Sequence, residues 1–566
     1  MTDSDAAKTD VATARAERAY LARSRYRYRF ACLGFAIAFL LVGSRLVVLG
    51  FTGVLPSQGG IHDISTTVHR PDVFDRRGRL LATDIKGATV YADPKRVIDT
   101  DELIEQVSSV LPGVDSRDLR QRIKNGRRFV GIRRELTPKQ HAELYELGLP
   151  GLGFIQEYRR VYPVGATASQ VVGFVDVDNR GLAGMEQFVD NNPQLAMLQS
   201  GPGQGDESVT LSLDLGVQHV LRDELKGAMA TYHAKAAAGI VIDVHSGEVL
   251  GLASLPDYDP NHREQALDKD RVNRIGSGVY EMGSIFKVFT VAGALDTGVA
   301  NLRSSYDASQ PIRVGSFTIS DFHGKNRRLT VPEIFIYSSN IGSAKMAVDM
   351  GVDGHRAFLK RLGLLTRNRT ELGDGAAPIV PAHWQKLNTM TIAFGHGLSV
   401  TPLQLAASTL PLVNGGIGVT PTFLPRSREE AMAQSPRVLK SSTSESMLKL
   451  MRLNVVKGTA KRADAEGYRV GGKTGTAEKV VGGRYSTSAL LTSFLAAFPT
   501  DAPEYLVLVM LDEPQRVAAS NGHATAGVNA APTARKIIER IGPILGVVPK
   551  LNEDKRQFDD KVFASY

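Results

Sequence analysis

A serine and a lysine three positions apart lie in the stretch Tyr280–Ala300, and together they could carry out acyl transfer. On a helix, this spacing places Ser284 and Lys287 on one face, one turn apart. The residues from Ile285 to Leu295 are otherwise almost all apolar or small, which predicts a buried helix that ends at Gly298. Because burial lowers the pKa of a lysine, Lys287 could take the proton of Ser284 at neutral pH. The pair is therefore a candidate nucleophile and base.

The same spacing occurs again at Ser446 and Lys449, and a pattern this short arises by chance about once or twice in a chain of this length. The second pair lies in the amphipathic stretch SESMLKLM, which favours a solvent-exposed helix face. The first pair is followed, in order, by S-S-N from Ser338 to Asn340 and by K-T-G-T from Lys473 to Thr476. An ordered set of three motifs is a much stronger signal than any one of them.

An antiparallel sheet with helices packed around it is predicted to position these motifs. A helix is expected from Leu215 to about Tyr232, followed by two strands joined at 245–247. The K-T-G-T motif lies in a glycine-flanked strand, and TSFLAAFP and YLVLVMLDEP are typical of neighbouring strands before a last helix, AAPTARKIIERI. The fold class is therefore α+β.

Three segments are predicted in front of this domain of residues 207–550. Residues 1–29 are polar and basic, and residues 30–51 are apolar and about long enough to cross a bilayer. The arginines before the span place the N-terminus in the cytoplasm. A cleavable signal peptide or a buried soluble helix are the alternatives, although no A-x-A cleavage site follows. Residues 52–206 alternate short strands with polar helices and end at the turn-rich joint GPGQGDES, whereas residues 551–566 form a mixed-charge tail.

The composition excludes several classes of protein. The chain has 566 residues, a net charge of +9 and one cysteine, Cys32, so intrachain disulfides and thiolate metal clusters are excluded. The basic residues do not form a stripe interleaved with aromatic residues, so no nucleic-acid partner is expected.

With these motifs in this order, the sequence resembles a class B penicillin-binding protein, an acyl-serine transferase. The resemblance covers nearly the whole chain. The stretches at 70–82, 159–175 and 181–187 look like the pedestal, or dimerisation-type, domain of that class, and FGHGLSVTPLQLA at 394–406 resembles the division-specific FtsI type. Two positions depart from the family pattern, Met282 where proline is expected and His396 where tyrosine is common.

The resemblance implies a peptidoglycan D,D-transpeptidase that cross-links stem peptides at the septum and is inhibited by β-lactams. Ser284 would attack the carbonyl between the two terminal D-alanines, and Lys287 would take its proton. Ser338 and Lys473 would pass a proton to the departing amine, and Asn340 would hold the backbone amide of the donor peptide.

The resemblance also implies the substrate-binding residues Thr474, Gly475 and Thr476. The threonine hydroxyls would bind the terminal carboxylate, and the backbone N–H groups of Ser284 and Thr476 would form an oxyanion hole. No metal and no organic cofactor would be needed. The implied location is the bacterial inner membrane at the septum, with one membrane helix, a periplasmic catalytic domain, and a SEDS-type glycosyltransferase and other division proteins as partners.

Two other functions remain open at this point. A penicillin-sensitive carboxypeptidase or a β-lactamase would pass the acyl group to water and would need a water-activating base. Glu371 follows the S-S-N motif, but no asparagine follows it at the expected spacing. A non-catalytic division scaffold would not need a buried lysine beside a serine. Asp321 and His323 are expected to be loop residues at the rim of the cleft.

Overall fold

The computed structural model describes residues 33–44, 69–126, 128–196 and 208–551, in two compact units of residues 1–65 and 66–566. In the first unit, residues 33–44 form helix α1. Within the described ranges, no helix combines the length and the apolar character that a membrane span requires. The predicted span at 30–51 lies partly outside the described residues, the basic segment 1–29 lies wholly outside them, and so does the tail beyond residue 551.

The second unit begins with the sheet of the pedestal. Its long strand β2 (Leu80–Ala92) pairs in antiparallel fashion with β1 (Asp72–Phe74), β3 (Val130–Leu136) and β4 (Leu152–Val161). Three amphipathic helices bury their apolar stripes beside it: α2 (Thr100–Val110), α3 (Ser116–Lys124) and α4 (Pro138–Glu146). The strands and helices predicted from the sequence in this region are confirmed.

A buried ion cluster holds the remaining pedestal elements together. Glu186 accepts hydrogen bonds from Arg70 Nε at 2.8 Å and from Arg160 Nε at 2.7 Å, and all three side chains are almost fully buried. Because removing one member takes an opposite charge away from a buried ion, each removal is expected to destabilise the fold by about 3–5 kcal/mol. The elements that carry or flank the cluster are α5 (Ser169–Val172), β5 (Phe174–Val175), β6 (Gly181–Ala183), α6 (Gly184–Asn191) and α7 (Pro193–Ala196).

The pedestal sheet is completed by a strand from beyond the predicted boundary at residue 206. Strand β7 (Ser208–Thr210) pairs in parallel with β1, with Val209 opposite Val73. The sequence analysis placed this stretch at the entry to the catalytic domain. The structure shows that its first residues hydrogen-bond to the pedestal, and that the chain then continues into α8 (Leu215–Tyr232), as predicted.

The domain that carries the three motifs is built on a five-stranded antiparallel sheet of order β16 (Gly471–Val481), β17 (Arg484–Phe498), β18 (Tyr505–Asp512), β8 (Ala236–Asp243) and β9 (Val249–Leu255). Alternate residues of its central strand are buried on opposite faces, Leu506 and Leu508 against one core and Val507 and Val509 against the other. The strands that the structure describes here are β8 (Ala236–Asp243), β9 (Val249–Leu255), β10 (Ser305–Asp307), β11 (Ile312–Val314), β12 (Phe317–Ile319), β13 (Arg328–Thr330), β14 (Arg369–Thr370), β15 (Gly373–Asp374), β16 (Gly471–Val481), β17 (Arg484–Phe498) and β18 (Tyr505–Asp512). This arrangement confirms the predicted antiparallel sheet.

Helices cover both faces of this sheet. Helix α8 and the last helix, α17, bury their apolar residues on the Val507 face. The other face packs against the helices that carry the motifs. Helices of this domain are α9 (Lys287–Thr297), α10 (Val331–Tyr337), α11 (Asn340–Met350), α12 (Val352–Arg361), α13 (Lys386–Ile392), α14 (Pro402–Val413), α15 (Arg428–Gln434), α16 (Ser441–Lys457) and α17 (Ala530–Ile544).

The helix predicted around the first motif is buried as expected but begins later. Ser284 lies in a 3₁₀ turn, Gly283–Phe286, and α9 starts at Lys287 and ends at Thr297, with Gly298 left-handed at φ 80°. Residues three apart eclipse each other in a 3₁₀ turn, so Ser284 and Lys287 still share one face. We call this segment the nucleophile turn.

Candidate active site

The Lys287 amine lies among the residues of the first two motifs and near Lys473 of the third. Its Nζ is 3.0 Å from Ser284 Oγ, 3.0 Å from Ser338 Oγ, 2.6 Å from the Ser338 carbonyl and 2.7 Å from Asn340 Oδ1. A neutral amine has two N–H donors and one lone pair. If the two donors serve the two shortest contacts, the lone pair is available to the hydroxyl proton of Ser284. This arrangement suits a base beside a nucleophile.

The surroundings of Lys287 favour its neutral form. The side chain is fully buried, and this burial is the main reason that its pKa lies well below the usual value. The nearby charge of Lys473 lowers the pKa further, and the carboxylate of Asp321 opposes the shift. Lys287 is therefore a buried lysine with a lowered pKa, as the sequence predicted.

The S-S-N motif is a tight turn between two helices. Ser338 ends α10 in the left-handed region at φ 59°, which is uncommon for serine, and Ser339 caps the start of α11. The turn places Ser338 Oγ 3.0 Å from the Nζ atoms of both Lys287 and Lys473. Ser338 can therefore relay a proton between the two lysines.

Asp321 holds this turn, a role that the sequence analysis missed. Its Oδ2 accepts a hydrogen bond from Ser339 Oγ at 2.7 Å, and its Oδ1 accepts one from the Ile341 N–H at 3.0 Å. No spacing rule connects a loop aspartate to a motif 18 residues later. His323 is an exposed loop residue, as expected, whereas Asp321 has the additional role of holding the S-S-N turn.

Lys473 is the second buried lysine of the site. It is fully buried, and burial lowers its pKa to about 7. Its Nζ contacts Ser338 Oγ at 3.0 Å and lies 5.9 Å from the centre of the Phe335 ring. A lysine that titrates near pH 7 can both give and take a proton.

We expect Lys473→Met to stabilise the fold while removing the proton donor. The unfolded lysine titrates near 10.5 and the folded one near 7, so the unfolded chain binds the additional proton between these values, and stability rises with pH. Removing the lysine should therefore raise the free energy of unfolding by up to about 4 kcal/mol at pH 7, and by about 2 kcal/mol less at pH 9. Urea unfolding at both pH values measures this. The exposed Lys449→Met is the control, and destabilisation of Lys473→Met at both pH values would contradict the expectation.

Strand β16 supplies hydroxyl groups to one wall of the site. Thr474 Oγ1 lies 2.8 Å from Oγ1 of Thr459, and Thr476 Oγ1 accepts a hydrogen bond from the Ala526 N–H at 3.1 Å. Thr459 was missed by the sequence analysis because it is a single threonine after α16 and belongs to none of the three motifs. The structure brings it beside the K-T-G-T motif.

Gly475 allows β16 to lie directly on the nucleophile turn. A Cβ atom at this position would be 2.5 Å from the Met282 carbonyl oxygen and 2.8 Å from a side-chain carbon of Ile285. Glycine is therefore required at this position, because any side chain would collide with the nucleophile turn. Met282, where the family pattern has proline, is buried in the core beneath the turn.

The second serine–lysine pair and Glu371, which the sequence offered as alternatives, lie outside the cluster of motif residues. Ser446 and Lys449 are on the exposed face of α16, where Lys449 pairs with Glu445 at 2.7 Å, so the predicted solvent-exposed pair is confirmed. The Glu371 carboxylate accepts hydrogen bonds from Thr422 Oγ1 at 2.6 Å and from the Phe423 N–H at 3.0 Å. It is engaged in supporting that loop and contacts none of the motif residues.

Comparison with known proteins agrees with this geometry. The family model of the penicillin binding protein transpeptidase domain matches residues 237–539, and that of the penicillin-binding protein dimerisation domain matches residues 65–193. The chain is 41% identical over 503 residues to a probable peptidoglycan D,D-transpeptidase FtsI of Caulobacter vibrioides, covering 87% of this chain and 84% of the relative. It is 30% identical to a probable peptidoglycan D,D-transpeptidase PenA of Neisseria gonorrhoeae (93% and 94% covered) and 28% identical to the peptidoglycan D,D-transpeptidase FtsI of Escherichia coli (93% of each). The chain belongs to the class B penicillin-binding proteins of the FtsI type.

Proposed function

We propose that the protein is a peptidoglycan D,D-transpeptidase that cross-links stem peptides during cell division. The observation that carries the proposal is the position of Lys287, whose burial favours the neutral amine, within 3.0 Å of the hydroxyls of Ser284 and Ser338. Lys473 contacts the same Ser338 hydroxyl. The names of the curated relatives support the same activity.

In the first half-reaction, Ser284 Oγ attacks the carbonyl of the penultimate D-alanine of the donor. The new Oγ–C bond forms and the C–N bond to the terminal D-alanine breaks. The serine proton moves to Lys287 Nζ, and Lys473 gives a proton through Ser338 Oγ to the departing amine. The proton on Lys287 then passes through Ser338 Oγ to Lys473, so both lysines return to their starting forms before the second half-reaction. Ser284, Lys287, Ser338 and Lys473 are linked in this order by contacts of 3.0 Å, which suit proton transfer between them.

In the second half-reaction, an amine of another stem peptide attacks the acyl ester. An N–C bond forms, the C–Oγ bond breaks, and the amine proton returns to Ser284 Oγ through Lys287. The Glu371 carboxylate is committed to Thr422 and Phe423, so it is not available to activate water. This supports transfer to an amine over hydrolysis.

The remaining motif residues are proposed to bind the donor peptide. Asn340 would hold its backbone amide, and the hydroxyls of Thr474 and Thr476, together with Thr459, would bind the terminal carboxylate. The N–H groups of Ser284 and Thr476 would stabilise the oxyanion, each worth roughly 2.7–4 kcal/mol of barrier. A β-lactam would enter the same site and acylate Ser284.

A β-lactam should acylate Ser284 and leave slowly. The opened drug stays in the cleft, and no glutamate or aspartate contacts Ser284 Oγ in the described residues. After excess labelled penicillin is removed from the full-length protein, we expect release of penicilloate over many minutes or longer. With a donor peptide and an acceptor amine, the cross-linked product should exceed the hydrolysed one. Release within seconds would indicate a β-lactamase, and mainly hydrolysed product a carboxypeptidase.

The location and the organisation of the chain are part of the proposal. We assign residues 1–29 to a cytoplasmic tail, 30–51 to a single membrane helix, 52–206 to the pedestal, 207–550 to the periplasmic transpeptidase domain and 551–566 to a tail. The arginines before residue 30 support this orientation. A SEDS-type glycosyltransferase and other division proteins are the expected partners in the inner membrane.

A self-labelling tag after Tyr566 tests the orientation and the site of action. A dye that does not cross the cytoplasmic membrane should stain the tag, because the C-terminus is expected outside the cytoplasm, and the stain should concentrate at division sites. Stable but unstained protein would contradict the orientation. Stain spread evenly along the cell would contradict the septal role. The same tag at Met1 is the matched control and should stay unstained.

A further inference from the structure

Glu281 joins three segments that are far apart in the sequence. It lies three residues before Ser284 and is half-buried. Its Oε1 accepts a hydrogen bond from the Gly397 N–H at 2.8 Å. The Tyr485 hydroxyl donates to the same carboxylate, at 3.1 Å from Oε1 and 3.2 Å from Oε2. One carboxylate therefore links the nucleophile turn, the loop of residues 394–397 and the hairpin of β16 and β17.

The loop reaches Glu281 because its backbone lies on the nucleophile turn. Gly395 has φ +91°, and a Cβ atom there would be only 2.0 Å from the carbonyl oxygen of Gly283. The next residue, His396, places its ring 5.7 Å from the ring of Tyr485. The loop thus fills the space between the turn and the hairpin.

The pairing of the two hairpin strands is interrupted on this side. The register of β16 and β17 shifts between Glu478 and Lys479, beyond the K-T-G-T motif. Lys479 ties the hairpin to Asp512 of β18 at 2.7 Å, and Val480 beyond it is exposed. Tyr485 provides the tie toward the nucleophile.

The chemistry of the pair suits a fixed contact. A hydrogen bond to a carboxylate is stronger than one between neutral groups. Burial and the charge of Glu281 raise the pKa of Tyr485 to about 12, so its hydroxyl remains a donor across the physiological range. Truncating either partner should therefore release the hairpin at any pH at which the enzyme works.

We propose that Glu281 is a positioning residue that fixes the β16–β17 hairpin against the nucleophile turn, and that this contact sets the geometry in which Ser284 is acylated. Glu281 does not touch the reacting atoms. It acts through Tyr485 and Gly397, which hold the edge of β16 along which the K-T-G-T motif faces the nucleophile. This inference rests on the proposed acyl-transfer function.

A double-mutant cycle on the full-length protein tests the inference. Glu281→Ala and Tyr485→Phe should each lower the limiting rate of acylation by fluorescent penicillin about tenfold, with unchanged saturation by the drug. Because Tyr485→Phe removes only a contact that Glu281→Ala removes as well, the double variant should be no slower than Glu281→Ala, and independent effects would give about a hundredfold. Glu281→Gln keeps an acceptor oxygen and should recover to within about threefold of the wild type.

Glu478→Ala is the matched control. Glu478 is a carboxylate on β16 whose charge also acts on Tyr485, and its side chain forms no hydrogen bond with the described residues. Its removal should leave the acylation rate unchanged, because the proposal depends on the hydrogen bond between Glu281 and Tyr485 and not on the negative charge near Tyr485.

Several results would overturn the inference. Unchanged rates, additive effects, or a loss of thermal stability that accounts for the slower labelling would each remove it. A wild-type protein that takes no label would remove the proposed function and this inference together. A wild type that labels normally beside an unaffected Glu281→Ala would remove the inference alone.

Discussion

Ser284→Ala is expected to abolish covalent labelling by penicillin while the protein stays folded. The only covalent step assigned to the protein begins at Ser284 Oγ, which lies 3.0 Å from Lys287 Nζ. The side chain is small and lies in a 3₁₀ turn, where alanine is tolerated, so the melting temperature should change by less than about 2 °C. Gel fluorescence after incubation with labelled penicillin measures the loss.

The chain contains its own control for this experiment. Ser446 has a lysine three positions later, as Ser284 does, but its hydroxyl donates to the Ser442 carbonyl on an exposed helix face. Ser446→Ala should label like the wild type. Labelling that survives Ser284→Ala, or that is lost with Ser446→Ala, would show that the nucleophile has been misassigned.

Lys287→Arg is expected to reduce acylation by about 10²–10⁴-fold, although much of the side-chain length and the N–H donors are kept. An arginine cannot lose its proton in a protein, so it cannot accept the proton of Ser284. In the wild type, acylation should rise with pH as Lys287 becomes neutral, because its lowered pKa leaves only the neutral form as a base. Stopped-flow labelling between pH 5 and 9 measures both effects.

A matched substitution separates loss of the base from loss of packing. Lys345→Arg changes a lysine on the exposed part of α11, where its Nζ donates to the Asp307 carbonyl, and should leave acylation unchanged. A Lys287→Arg variant that acylates at the wild-type rate would show that Lys287 is not the base.

The sequence was sufficient to predict the groups that share a motif. Ser284, Lys287, Ser338, Asn340 and Lys473 are brought together as their spacing and order indicated. The buried helix was predicted because a run of apolar residues has only one plausible environment. The alternation of buried residues on both faces of β18 likewise follows from its composition.

The residues that sequence analysis missed act through contacts that no spacing encodes. Asp321 reaches Ser339 from a different loop, Thr459 reaches Thr474 from the end of α16, and Glu281 reaches Tyr485 across 204 positions. Each is a single polar residue whose partner is chosen by the tertiary fold. The 3₁₀ turn at Ser284 was missed for a related reason, since β16 packs against that turn through Gly475.

The parallel pair of β1 and β7 has a consequence for how the chain is synthesised and folds. Val73 and Val209 are partners, so the pedestal sheet cannot close until the chain beyond residue 209 has left the ribosome. Until then one edge of β1 stays unpaired, although nearly the whole pedestal has been synthesised. Such an edge is a template for association with other chains. The pedestal therefore completes its sheet only after the first residues of the catalytic domain have been synthesised. A protein cut at the predicted boundary would expose β1 permanently.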